Sequence, residues 1–475
     1  MFPQVLIAGA GPTGLTLGIE LARRGVAIRI VDRVADHFNG SRGDGIQPRT
    51  LEVFDDLGVL DAVLTAGEDV APMKISIDGQ IVGERRRTEL REPSPATPHP
   101  NPWVLGQSQV ERILRERLAE LGVKVELSTA VAGLEQDADG VTVTLHKPGG
   151  TETVRADYLV GADGGASTVR KAVGIAFEGV TDESLRMLIG DVRADVLDHA
   201  YGYWFARGEA PTEGIALTPL PGDRLFQFSG PLNEEHPTRE IMQAALDHYS
   251  GRTDIVLGEP VWASAWRPNI RLAQRFRSGR VFLAGDAAHA HPPTGGQGMN
   301  TGVQDAYNLG WKLAAALDGR AELLDTYDTE RRAVAARVLG LSTDLLDRQV
   351  AGDESAMRRD ADTFGLNISY RSGDVAGALV AGDRAPDSVL RAADGSTVRL
   401  FDLFRGPHAT LLTFDAPAEP AAEGVRGYAI VSPDRTPAAG EFLAVDGHAF
   451  ADYAASPGTR ILVRPDGYLA WRRED

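Results

Sequence analysis

Gln4-Val-Leu-Ile-Ala8 runs directly into Gly9-Ala-Gly11-Pro-Thr13-Gly14. The first segment has the apolar character of a buried parallel strand. A Leu- and Ala-rich helix is predicted over about 13–24, stopped by Gly25, and a second strand over 26–31 ends in Asp32. Strand, glycine turn, helix, strand and acid together make a βαβ dinucleotide-binding unit. Gly9 permits the tight turn. Gly11 lets backbone N–H groups approach a pyrophosphate, and Gly14 lets helix and strand pack closely. The helix start, with Thr13 in its first turn, turns its positive end toward phosphate. Asp32 lies 21 residues after Gly11 and can accept from ribose hydroxyls, with Arg33 beside it as a further cofactor candidate. FAD and NAD both fit this unit.

The chain around it has 475 residues, room for about three domains, and 43% hydrophobic residues, enough for real cores. It holds no cysteine, which excludes disulfides, thiolate metal sites and cysteine nucleophiles. The net charge of −18 argues against nucleic acid and anionic membrane surfaces as partners. No apolar run reaches the roughly 18 residues needed to cross a bilayer. The first residues enter a strand without a basic stretch, so no signal peptide and a cytoplasmic location are expected.

Two further strand-to-turn elements follow. Asp157-Tyr-Leu-Val-Gly-Ala-Asp163-Gly164-Gly165-Ala-Ser167-Thr-Val-Arg170 is the first. The second runs Val281-Phe-Leu-Ala-Gly285-Asp286-Ala-Ala-His289-Ala-His291-Pro292-Pro293-Thr-Gly295-Gly296-Gln297-Gly298-Met299-Asn300. Asp286, at a strand's carboxyl end, can accept from a ribityl or ribose hydroxyl. Pro292 and Pro293 stiffen the turn. Gly295, Gly296 and Gly298 strip the backbone so that a flat ring can lie against it. A helix starting near Met299 directs N–H donors at that ring, where they favour negative charge. His289 and His291 lack the partners of a metal site, so no metal is expected and a loop-forming role is assigned.

In order and spacing these three motifs resemble the class A flavoprotein monooxygenases, the FAD-dependent aromatic hydroxylases, and most of all their branch with a thioredoxin-like C-terminal domain. That branch includes phenol hydroxylases, polyketide-tailoring enzymes and antibiotic-modifying enzymes. The resemblance implies an α/β fold: a Rossmann-like FAD-binding domain, an antiparallel substrate sheet and a thioredoxin-like tail. It implies FAD as cofactor, NADPH or NADH and O₂ as co-substrates, and a small aromatic substrate. Oxygen would add at the flavin C4a, and the hydroperoxide would pass one oxygen atom to a phenolic or polyketide ring. It also implies that Asp286 holds the FAD sugar alcohol, that the Gly298-Met299-Asn300 backbone meets the pyrimidine edge, and that Pro293 lies near the oxygen-reactive carbon. Asp163 would help to place FAD and the nicotinamide, while Arg170 is structural. Arg42, in Gly40-Ser-Arg-Gly, would contact the cofactor by charge, or be a surface arginine. Gln107, opening an amphipathic helix, would bond the cofactor, or cap that helix.

Strands dominate 175–270. Trp204, Phe226 and Phe228 are candidates to stack on an aromatic substrate, with Pro293 and Gly295 beside it, although alternating aromatics also build cores. Met73 to Val82 is predicted as a hairpin through Asp78-Gly79, and the proline-rich loop before Trp103 as either a lid or a solvated connection. The domains are expected at 1–72, 103–174 and 271–345 for FAD, and at 73–102 and 175–270 for substrate. A helical linker follows at 346–381 and the tail at 382–475. Without cysteine the tail is expected to be a scaffold or an oligomer contact, as in a homodimer, and removing it is expected to leave the flavin spectrum largely intact. Baeyer–Villiger oxygenation of a polycyclic ketone, or sequestration of a drug by a resistance protein, are the alternative activities. A halogenase is disfavoured, because Trp262-Ala-Ser-Ala-Trp266-Arg-Pro has the wrong spacing for that group's Trp-x-Trp motif.

Overall fold

The computed structural model describes residues 3–86, 88–182, 185–222, 224–232, 236–292, 296–350, 361–371, 378–419 and 422–474. Two compact units emerge. The first takes in 1–47, 61–89 and 102–363, and the second 48–60, 90–101 and 364–475.

The first unit holds the predicted βαβ element. Strand Val5–Ala8 pairs in parallel with Ile28–Val31 on one side and with Tyr158–Gly161 on the other. Tyr158–Gly161 pairs in parallel with Val281–Leu283. All three signature motifs therefore leave the carboxyl ends of adjacent strands of one six-stranded sheet, the edge at which open α/β sheets bind ligands. Helix α1, Pro12–Ala22, follows the first strand. A Cβ on Gly9 would collide with the Ala162 carbonyl, and one on Gly14 with the Gly9 carbonyl. Both positions are therefore glycine for packing reasons.

The same unit carries a seven-stranded sheet in the order Trp262–Trp266, Met187–Arg193, Leu225–Pro231, Ala210–Pro219, Gly202–Arg207, Met73–Ile77, Gln80–Arg85. The predicted hairpin is present, with Asp78 (φ 49°) and Gly79 (φ 80°) both left-handed, as a two-residue hairpin turn requires. One sheet face packs under the helix Arg239–Ser250 into a core that contains Tyr203, Phe205, Phe226, Phe228, Met242 and Leu246.

The second unit departs from the boundaries expected from sequence. Helix α2, Pro48–Leu57, and the proline-rich loop group with the tail. Buried Glu52 pairs with Arg49 at 2.6 Å and receives Arg384 Nε at 2.8 Å. Burial alone would raise its carboxyl; the two arginines outweigh that and hold it below the ordinary range. The loop is pinned at Pro95 and Ala96, whose carbonyls accept from Arg399 at 2.8 Å and from the Asp387 N–H at 3.2 Å. The loop is thus held at Pro95 and Ala96, while Leu90 to Ser94 are exposed. The tail sheet sets Glu441–Ala444, Val425–Val431 and Ala409–Phe414 in parallel, followed by the antiparallel hairpin Arg460–Val463 and Leu469–Arg473. This is the mixed order of a thioredoxin-like module. The segment joining its first two parallel strands forms no helix among the described residues.

Candidate functional site

The site grows from the sheet's carboxyl edge. A Cβ on Gly11 would meet no protein atom. This glycine, unlike Gly9 and Gly14, leaves room for something other than protein. It sits at the start of α1, and no side chain caps that helix, so its first N–H groups remain available to a phosphate. Asp32 is oriented from both sides, its Oδ2 accepting from the Ala10 N–H at 2.7 Å and its Oδ1 from the Val34 N–H at 3.1 Å. Arg33 is exposed. Thr13 packs against Gly285 and Gly302, where its hydroxyl fills the space a Cβ would need. It therefore ties the first motif to the third.

Arg42 is exposed but not loose. Its guanidinium lies 4.7 Å from the Phe38 ring centroid and 5.9 Å from that of Trp262, and its charge favours ionisation of Asp286 and Glu111. Helix α3, Gln107–Glu120, opens with Gln107, whose Nε2 donates to Glu111 at 2.8 Å. Burial pushes the Glu111 carboxyl up, against Gln107, Arg115 and Arg42. One N–H of its amide is engaged by Glu111, which leaves Gln107 its carbonyl as an acceptor and a second N–H as a donor.

Asp286 sits in the one-turn helix Gly285–Ala287. It is exposed to solvent on one side yet crowded by protein on the others. That crowding raises its carboxyl, while His289 and Arg42 pull it down and Asp305 pushes it up. Helix α4, Gly298–Leu317, also starts without a side-chain cap, leaving the N–H groups of its first turn for a ligand. A Cβ on Gly298 would meet nothing, and Gly296 is exposed with φ +64°. Met299 is half-buried. The side chain of Asn300 is fully engaged, accepting from the Gln47 N–H at 2.8 Å and donating to the carbonyls of Gly45 (2.9 Å) and Gly296 (2.8 Å). Only its backbone is left for a cofactor. Pro293 and Gly295 lie outside the described residues.

Asp163 has a structural duty. Its Oδ1 accepts from Ser167 Oγ at 2.5 Å and its Oδ2 from the N–H groups of Thr168 (2.7 Å) and Val169 (3.2 Å), so it caps the short helix that follows. Arg170 is buried and binds the carbonyls of Ala287 and Gly165, both at 2.8 Å.

The substrate candidates divide by sheet face. Phe226 is 1% exposed and Phe228 0%, both in the core under Arg239–Ser250. They cannot stack on a substrate, because side chains alternate between faces and theirs point into the core. Trp204 points the other way and lies against Gly214. Its face carries the cross-strand row Ser264, Ile189, Ser229, Ala216, Trp204 and Ile75, beside a second row of Trp262, Asp191, Gln227 and Thr218. Of these residues sequence reading marks only Trp204 as a substrate candidate, although Gln227 and Ser229 alternate with the marked Phe226 and Phe228. This face looks toward the loop bearing Arg42. Asp191 Oδ2 accepts from the Ser41 N–H at 2.7 Å, Gln227 Nε2 donates to Ser41 Oγ at 2.8 Å, and Trp262 meets Phe38 edge-on at 5.5 Å. A cavity of about 330 Å³ opens there, lined by Asn39, Ser41, Ser108, Gln109, Asp191 and Arg193.

An open cradle at Gly11, two uncapped helix N-termini and the carboxylates of Asp32 and Asp286 at strand ends fit FAD, as a flavin-dependent oxidoreductase requires. Residues 3–342 match the family described as FAD binding domain, and 379–475 that described as aromatic-ring hydroxylase, C-terminal. A flavin-dependent monooxygenase of Mycobacteroides abscessus is 45% identical, the alignment covering 98% of this chain and 96% of the relative. The 12-dehydrotetracycline 5-monooxygenase/anhydrotetracycline 6-monooxygenase of Streptomyces rimosus is 35% identical over 98% of this chain and 95% of its own. Aklavinone-11 hydroxylase, solved with FAD and aklavinone, superposes with TM-score 0.83 at 28% identity, covering all of this chain and 96% of that one. The chain belongs to the FAD-dependent aromatic-ring monooxygenases. It uses FAD with NAD(P)H and O₂ to hydroxylate aromatic compounds. Among the described residues no helix is long and apolar enough to cross a membrane.

Proposed function

We propose that the substrate is a multi-ring phenolic compound of the polyketide type, hydroxylated while it lies on the sheet face that carries Trp204. The observation behind this reading is the composition of that face: Trp204, Trp262 and Ile75 offer flat apolar contact, and Ser229, Ser264 and Thr218 offer hydroxyls at intervals across it. A planar ring system with several oxygen substituents matches such a surface. The relatives named for tetracycline intermediates and aklavinone carry activities of this kind.

FAD, when bound, supplies the electron transfer and oxygen activation. The chain's own residues supply placement. Asp32 and Asp286 would hold the two sugar portions, and Gly11 with the start of α1 would take the pyrophosphate. The first turn of α4 would favour negative charge on the ring edge it meets. Gln107 would accept through its carbonyl, and Arg42, held over Phe38, would supply positive charge. The sheet excludes water above the reacting ring.

Purified holoenzyme should consume NADPH faster when a tetracyclic or anthracycline-type phenol is added, with a product heavier by one oxygen atom. NMR of that product separates ring hydroxylation from insertion beside a ketone. Stimulation by simple phenols alone, with multi-ring compounds inert, would overturn this choice of substrate class.

A further inference from the structure

Three buried side chains beneath the Asp286 turn and the half-buried His291 form a continuous chain. Arg331, on helix α5 (Asp325–Val350), donates through Nε to Asp305 Oδ1 at 2.7 Å. Asp305, on α4, accepts at Oδ2 from the Gly285 N–H at 3.0 Å and contacts His289 Nε2 at 2.6 Å. His289 Nδ1 lies 2.8 Å from His291 Nε2. Arg331, Asp305 and His289 are all 0% exposed. Nδ1 of His291, at the far end, is buried and has no partner among the described residues.

The donor and acceptor roles follow from the partners. Asp305 is clamped by Arg331 and a backbone N–H. Burial would raise its carboxyl, but His289 and Arg331 outweigh that and keep it below the ordinary range. As a carboxylate it only accepts, so His289 Nε2 carries a hydrogen. In the uncharged chain His289 Nδ1 must then accept from His291 Nε2–H, leaving a lone pair on His291 Nδ1. A proton arriving at that lone pair has one favourable destination. Burial and the neighbouring His289 hold His291 well below the ordinary imidazole value, with Asp305 only partly opposing them. If the Nε2 proton of His291 crosses to His289, the charge instead comes to rest against Asp305.

We propose that His291, His289 and Asp305, anchored by Arg331, form a buried proton relay under the Asp286 turn, with His291 as its entry and the His289–Asp305 pair as the proton's resting place. One proton enters at His291 Nδ1 and one leaves His291 Nε2 for His289 Nδ1. His291 stays neutral but exchanges its Nε2–H tautomer for the Nδ1–H tautomer, and His289 becomes an imidazolium. The charged groups around the relay are Asp305 on α4, Arg331 on α5 and Asp286 on the turn, with Arg42 acting on Asp286. A positive His289 favours the ionised form of Asp286 against its own crowding, the form that accepts from a sugar hydroxyl. These are positioning residues; none is claimed to touch substrate.

This consequence rests on the reading of Asp286 as a cofactor ligand, whereas the relay itself is tested without reference to turnover. Holoenzyme with ¹⁵N-labelled histidine, assigned with H291Q, is followed from about pH 5 to 9, the range in which imidazoles titrate. With the proton taken up, His289 should carry hydrogen on both nitrogens while His291 stays neutral and shows the Nδ1–H tautomer. A His289 that is neutral throughout, or a His291 that itself becomes the imidazolium, overturns the relay. In D305N the His289 imidazolium should disappear, His291 should hold the Nε2–H tautomer, and FAD should bind at least tenfold more weakly. If D305N fails to fold, the wild-type spectra still decide. If the tautomer exchange appears but FAD affinity is unchanged in D305N, the relay stands and its link to Asp286 falls.

Discussion

Three glycines of one motif answer to different physical demands. Gly9 and Gly14 are closed in by backbone carbonyls, whereas a methyl on Gly11 would project into open space. Gly14→Ala is therefore expected to lower thermal stability sharply. Gly11→Ala should keep a wild-type melting temperature in the apo form yet bind FAD poorly, as fluorescence titration would report; equal stability losses in the two variants would contradict this division. Asp286→Ala should weaken FAD binding roughly 10- to 100-fold, as expected for a lost hydrogen bond to a charged group, and a fully yellow variant would refute its role. The motif's purpose was legible from spacing alone, because close approach and phosphate contact demand glycine at fixed steps. The capping duty of Asp163 was not. Its spacing to Ser167 and Thr168 also matches a helix cap, and only the hydrogen bonds reveal that both oxygens are engaged there.

Within single elements, periodicity was easier to read than orientation. Alternation over Arg224 to Ser229 points to a strand, but alternation does not say which face is the core. That is decided by the helix Arg239–Ser250 and its buried Met242 and Leu246, which cover one face of the sheet, a packing choice the strand's own residues do not encode. Phe228→Ala should therefore cost about 3–5 kcal/mol of stability without altering which substrates stimulate NADPH oxidation. Ser229→Ala or Trp204→Ala should shift KM among substrates with little loss of melting temperature. The reverse pattern would reassign the faces. Helix α2 offers a pH test. Burial pushes the Asp55 carboxyl up to about 6, despite Arg405 at 2.5 Å. The folded state then holds this proton more tightly than the unfolded chain, whose carboxyl titrates near 3.9. Its contribution to stability is thus fully present below about pH 4 and is lost as pH rises through about 6. Asp55→Asn should raise the melting temperature at about pH 8, by at most the equivalent of about 3 kcal/mol, with the gain vanishing toward pH 4. A difference that does not vary with pH would count against this account.

For the whole molecule, the order of segments in sequence is not their order in space. Composition and turn signals placed the tail from residue 382 onward, and from that view it is a separable appendage. The folded tail unit, however, includes 48–60 and 90–101, two segments embedded in the flavin- and substrate-binding half of the chain. Nothing local in either segment announces this. The decisive partners of Glu52 and Pro95, Arg384 and Arg399, lie roughly 300 residues away. Truncation after Thr363 would remove Arg384 from Glu52 and the Asp466 carbonyl from Arg49, so α2 would keep only its internal Arg49–Glu52 pair and lose the unit it folds with. Gln47, whose N–H is bound by Asn300, immediately precedes α2. Disorder in α2 should therefore spread directly to the tie that holds the start of α4. The shortened chain is expected to aggregate or to bind FAD weakly, and Glu52→Gln in the full-length protein should lower the melting temperature and the FAD affinity together. A truncated chain that is monomeric, yellow and as heat-stable as the full-length protein would restore the view that the tail is dispensable.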